Sequence, residues 1–151
     1  MSVWNIMRIG ASALSAQRLR LDIIANNVAN AETTRTAAGG PYKRQDVVFA
    51  AQGARPFLPA FLAATRSGED LTSVGMGGVK VTEIVTDDST GPRVYDPTHP
   101  DADAEGYVSY PNVNMAYEMT NMLSATRSYE AGMTVIDTAR KMALKALEIG
   151  R

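Results

Sequence analysis

The single histidine of this 151-residue chain, His99, stands among four acids: Asp96, Asp101, Asp103 and Glu105. Imidazole and carboxylates could ligate a metal or relay a proton. The stretch lacks the alternating Asp/Asn, the central Gly and the terminal Glu of a calcium loop. One His without any Cys makes a poor zinc set. A solvated acidic loop is the expectation. Gly75-Met76-Gly77-Gly78 has the composition of a phosphate cradle, but a strand is predicted after it and no Gly-Lys-Ser/Thr follows. Ser12, Ser15 and Ser124 fall on predicted helices without a nucleophile elbow. No catalytic set forms, so the sequence predicts no enzyme, no metal and no cofactor.

The net charge is −1 and the pI is about 5.8, so no basic field invites nucleic acid or an anionic membrane. Cysteine is absent, which excludes disulfides and thiolate chemistry. No run of 18 or more apolar residues supplies a membrane-spanning helix. Ala11-Ser12-Ala13 has the small-x-small look of a cleavage site. Yet no basic region precedes an apolar run, and Asn5, Arg8 and Gly10 interrupt the candidate. The expectation is export, if any, by a route without a cleaved signal.

Position falls to two long helices. From Asn114 to Ile149 no Pro intervenes, and Gly132 is the only interior Gly. Asn114 can cap the start, Glu118 suits the first turns, Lys141 and Lys145 load the far end, and Gly150 reads as the closing residue. Steps of 4 and 3 join Met115, Met119, Met122, Thr126, Tyr129, Met133, Ile136, Arg140, Ala143 and Leu147, a period close to 3.5. A second seam joins Val135, Ala139, Met142, Ala146 and Ile149. Two seams call for neighbours on two sides. A helix of about 36 residues spans roughly 54 Å, longer than the roughly 38 Å breadth of a compact chain of this size. It reads as an assembly element, and its Met stripe as packing rather than a ligand groove.

Residues 3 to about 29 form the matching helix, with Met7, Ala11, Leu14, Arg18, Leu21, Ala25 and Val28 in seam and Ile24 flanking. Ser2 or Asn5 could cap it, and Asn26, Asn27 and Asn30 suit its end. The simplest arrangement packs the two terminal helices on each other, leaving the second C-terminal seam, Val135 to Ile149, for neighbouring subunits. Between them, Glu32–Arg44 reads as loop, punctuated by Gly39-Gly40-Pro41. Strands are predicted at Asp46–Ala50, Val79–Val85, Arg93–Tyr95 and Tyr107–Tyr110, with 51–77 loop-rich. The fold class is therefore α+β: a coiled-coil-like arm of N- and C-terminal helices, residues 1–31 and 113–151, with a small antiparallel β region, 32–112, inserted between them.

Leu14-Ser15-Ala16-Gln17-Arg18-Leu19 followed by Ile24-Ala25-Asn26-Asn27-Val28-Ala29-Asn30-Ala31 resembles the N-terminal signature of bacterial flagellar rod, hook and filament-junction proteins. Thr33–Thr36 with Gly39–Arg44, and above all the run from Val94 to Asn114, narrow the likeness to the proximal-rod family. That run contains Tyr95, Asp96, Pro97, His99, Pro100, Asp101, Asp103, Tyr107, Pro111 and Asn112. The resemblance implies a structural subunit of the drive shaft, exported by the flagellar type III apparatus and located in the periplasmic rod. It implies self-association in the rod, and partners among the proximal and distal rod proteins and the rod–export-gate adaptor. It further implies that the paired terminal helices form an inner tube, poorly ordered before assembly, with the β region outside. Gly132 departs from an Asn in the family pattern, at a cost of roughly 1 kcal/mol against Ala in a helix. It implies a bend or a close neighbour. The alternatives are another flagellar axial protein, a non-enzymatic type III secreted protein, or a metal-dependent enzyme using the Asp96–Glu105 loop.

Overall fold

The computed structural model describes residues 3–52 and 77–149. In chain order it contains α1 (Val3–Ala29), β1 (Gln45–Ala51), β2 (Val79–Thr86), β3 (Arg93–Tyr95), β4 (Tyr107–Ser109) and α2 (Met115–Ile149). The architecture is α+β: two long helices pack together, with short antiparallel strands between them in sequence. The expected features at Ser2, Gly75-Met76 and Gly150, and most of the loop-rich stretch 51–77, lie outside the described residues.

Local chemistry explains the element ends. Asn114 accepts a hydrogen bond on Oδ1 from the Tyr117 N–H (3.2 Å), satisfying one of the orphan amides that open α2. Along α2 the hydroxyls of Thr120, Thr126, Ser128, Thr134 and Thr138 each donate to the carbonyl four residues back, so these weak helix formers spend their hydroxyls on the helix itself. At the end of α1 the Asn30 amide donates to the Asn26 carbonyl and to Asn26 Oδ1. Asn5, an expected cap, lies inside α1. Gly39 and Gly40 both adopt positive φ (87° and 76°), a turn that a side chain would strain.

The chain divides into two compact units, and the helices and the β1–β2 ribbon contribute to both. The first unit comprises Met1–Ala16, Phe49–Thr82 and Tyr129–Arg151. Here α1 meets α2 through small residues. A Cβ built on Gly10 would lie 2.7 Å from Ile136 Cγ1, and one on Gly132 would lie 3.1 Å from Leu14 Cδ2. As α1 advances α2 recedes, so the pair is antiparallel. Ala16 and Ala139 are buried. Ser12 donates to the Ile9 carbonyl and accepts from the Val79 N–H, which ties α1 to the start of β2. The Gln52 N–H bonds to the Gly78 carbonyl, continuing the β1–β2 ladder.

The second unit comprises Gln17–Val48 and Glu83–Ser128. Its buried apolar residues are Ile24, Val47, Val108 and Ala125. Strand β3 pairs antiparallel with β4, Arg93 opposite Ser109, Val94 opposite Val108 and Tyr95 opposite Tyr107. Val108 is buried, whereas Arg93, Tyr95 and Tyr107 are exposed and make a stack: the Arg93 guanidinium sits 5.1 Å above the Tyr107 ring, which meets Tyr95 edge-on at 5.2 Å. Burial alternates along β2 only at its start. Val79 and Val81 are half-buried, but Glu83–Thr86 are exposed on both faces, because this ribbon has two strands.

The inward faces of the helices differ from the predicted seams at alternate positions. Met7, Leu14, Leu21 and Val28 are half-buried, but Ala11, Arg18 and Ala25 are exposed; Gly10, Gln17 and Ile24 take their place inward. On α2 Met122, Thr126, Tyr129, Ile136 and Ala143 are half-buried, Met119, Met133 and Arg140 are exposed, and Glu118, Ala125, Gly132 and Ala139 lie inward. The inward positions keep the heptad spacing, and every second one lies one residue before the predicted seam. Large apolar residues drew the sequence reading, whereas closely packed helices select small ones where the backbones approach.

Candidate functional site

The feature that sets the second unit apart is a polar network at the meeting of α1, β1 and α2. Asn27 and Glu118 are both fully buried. The Asn27 amide is saturated. Its Oδ1 accepts from the Gln45 N–H (3.0 Å) and the Tyr42 hydroxyl (2.9 Å), and its Nδ2 donates to the Gln45 carbonyl (2.8 Å) and Glu118 Oε2 (3.3 Å). The other carboxylate oxygen, Oε1, accepts from Arg44 Nε at 2.8 Å. Arg44 also pairs with Asp46 and lies 5.7 Å over the Tyr117 ring. Burial raises the Tyr42 pKa, helped by the Glu118 charge. For Arg44 burial works the other way, but the Glu118 bond and charge outweigh it and the pKa rises. Both groups are thereby held in the protonation state the network needs.

The acidic loop is built as turns. Asp96 accepts from the Thr98 hydroxyl and N–H, which lowers its pKa; Asp103 accepts from the N–H groups of Tyr107 and Glu105 and pairs with Arg93, with the same result. Asp101 takes the Thr34 hydroxyl (2.8 Å) and faces Arg35. His99 Nδ1 accepts from the Asp101 N–H, so it too serves the turn. Asp87 is lowered by the Ser89 hydroxyl and N–H, and the Asn112 amide donates to Ser89 and Asp87. Among the described residues no three His, Asp or Glu groups converge to hold a metal.

The remaining candidates lie on the outer faces of α2. Met115, Met119, Met133, Met142 and Leu147 are exposed, as are Val135, from the second predicted seam, and Tyr117, Leu123 and Leu144, which the seams left out. They flank the inward face on both sides. Ala139, placed in the second seam, is buried instead; the Ile149 side chain is outside the described residues.

Two family models match the ends of this arrangement: the flagella basal body rod protein over residues 7–35, and the flagellar basal body rod FlgEFG protein C-terminal over 104–149. Whole-chain relatives decide the matter. The chain is 42% identical to the flagellar basal-body rod protein FlgC of Borreliella burgdorferi, over 99% of this chain and 98% of that protein. It is 42% identical to FlgC of Bacillus subtilis and 38% identical to FlgC of Salmonella typhimurium, each over the full length of both chains. The chain belongs to the FlgC family of flagellar basal-body rod proteins.

Within the FlgC signature the Asn residues now have separate tasks. Asn26 and Asn30 close α1, Asn27 anchors the buried network, and Asn112 and the buried Pro111 lead into α2. Sequence reasoning missed Tyr42, Arg44 and Glu118 as a group. One signal was present: Glu118 is in heptad phase with Ala125, Gly132 and Ala139, so an inward face built on small residues carries it inside.

Proposed function

We propose that this rod-family subunit has no enzymatic activity and belongs to the proximal rod, where its exposed α2 residues are the contacts to neighbouring axial subunits. The observation that carries this reading is the run of large apolar side chains left exposed on one helix, from Met115 to Leu147. Burying each such side chain contributes roughly 1.5–3 kcal/mol. A helix that leaves so many in water is incomplete until a neighbour covers them. Partners are other proximal and distal rod proteins, further copies of this chain and the rod–export-gate adaptor. The subunit travels through the flagellar type III apparatus and acts in the periplasm. Residues 1–31 and 113–151 supply the inner tube and 32–112 the surrounding β region.

Leu123→Asp and Met119→Asp test the assignment, because neither side chain belongs to the buried face. The variants are expected to be exported normally while basal bodies seen by electron microscopy lack the rod and motility is lost. Wild-type motility with both changes present would remove these residues from the interface.

A further inference from the structure

We infer that the Asn27–Arg44–Glu118 network is a rotational lock that sets which face of α2 is presented outward. Apolar packing alone does not select the observed phase. A turn of α2 by about half a residue position, roughly 50°, would carry Met119 toward the place of Glu118 while Met122, Tyr129, Ile136 and Ala143 stayed in the contact. That is the phase hydrophobic patterning favours. The observed phase instead buries a carboxylate and leaves Met119 and Leu123 more than half exposed, at 57% and 53%.

The compensation is polar and directional. Around Glu118 the apolar neighbours Ile24, Val47 and Ala125 are less demanding, since contact between apolar groups depends little on angle. The network does not. Glu118 divides its two oxygens between Arg44 Nε and Asn27 Nδ2, and Asn27 is held by both backbone groups of Gln45. Rotation would break both Glu118 bonds and leave Arg44 and one Asn27 proton without these partners. A single buried polar position fixing the register of an apolar helix pair is the best-attested use of such groups. Fully satisfied, the network discriminates between packings that differ little in apolar contact. The consequence for assembly rests on the proposed role of the outward residues; the lock itself does not.

The chain has no cysteine, so a single introduced thiol reports helix phase without interference. In the full-length protein, Leu123→Cys is expected to react with a maleimide on the order of a hundredfold faster than Ala125→Cys, whose position is fully buried. In an Arg44→Met, Glu118→Leu background both charges are gone and Asn27 keeps its bonds to Gln45. That ratio should then fall to within about tenfold while far-ultraviolet circular dichroism retains the helices. A ratio unchanged in that background overturns the lock. Should the double variant lose its helices, Glu118→Gln decides. It has nearly the same volume but only one acceptor oxygen where Glu118 offers Arg44 and Asn27 one each, and the ratio should drop about tenfold; an unchanged ratio again overturns the proposal. Motility is scored separately. A collapsed ratio with intact motility leaves the lock standing and counts against the outward residues as rod contacts.

Discussion

The same two helices meet in both compact units, and they meet by different physics. In the first unit the contact is made by what is missing: Gly10 against Ile136 and Gly132 against Leu14, backbone close to side chain, with no charge involved. In the second it is made by a saturated amide and a buried carboxylate, Asn27 and Glu118, with Arg44 and Tyr42 completing the set. Small-residue contacts allow close approach through apolar surface, whose attraction has no preferred direction. Hydrogen-bonded charge pairs allow one geometry. The chain thus carries one end that is tolerant and one that is exacting.

The largest expected effect follows from breaking the exacting end. Glu118→Ala removes one partner of a buried ion pair and leaves Arg44, whose side chain is only 16% exposed, facing a cavity. Loss of about 3–5 kcal/mol of unfolding free energy is expected, read from denaturant titration at neutral pH. Amide exchange should show the loss concentrated in Gln17–Ala29 and Met115–Ser128. A loss under about 1 kcal/mol, the scale of an exposed pair, would erase the distinction between the two ends.

The difference between the ends also explains what the sequence disclosed. Both helices, the bounds of β3 and the Asn114 cap were legible, because propensity, punctuation and period are local. The β1 and β2 bounds were right to within a residue. Which small residues lie between the shared seam positions was not legible, since that depends on how closely the backbones approach. Hydrophobicity therefore placed Met119 and Met133 inward and passed over Gly132 and Ala125. The polar network was hidden for another reason. Asn27, Arg44 and Glu118 are far apart in sequence, and each alone reads as a surface residue. The acidic stretch read only as a solvated loop; its turns at Asp96 and Asp103 and the Arg93–Tyr107 stack beside it needed the structure.

An intermediate effect tests the tolerant end. At Gly10 an added methyl would press on Ile136 Cγ1 at 2.7 Å, next to the branch point of a stiff side chain with little room to move. At Gly132 it would meet Leu14 Cδ2 at 3.1 Å, the free end of a flexible side chain. Each Gly→Ala change gains roughly 1 kcal/mol of helix propensity, against an overpacking cost of typically 1–3 kcal/mol where the site cannot adjust. Gly132→Ala is expected to leave the midpoint of thermal unfolding unchanged or higher, and Gly10→Ala to lower it by an amount worth about 1 kcal/mol. If both lower it by several kcal/mol, the first unit is as exacting as the second.

The smallest effect distinguishes the units by acid. Asp87, Asp96 and Asp103 all lie in the second unit, and the hydrogen bonds they accept hold each carboxyl below its usual range. Lowering a carboxyl's pKa on folding means the native turn prefers the ionised form. Its stabilisation is complete above the unfolded value, about 3.9, and disappears as pH falls through the lower folded value. The turns should therefore hold at pH 5 and loosen only below about pH 4. The amide signals of Ser89, Thr98 and Tyr107, whose N–H groups the three carboxylates accept, report each step by NMR. Midpoints at or above the ordinary Asp value would mean that the turns draw nothing from their carboxylates. Signals from Leu14 and Gly132, whose contact contains no titrating group, should stay in place through the same range, so that acid loosens the exacting unit's turns first and leaves the tolerant contact untouched.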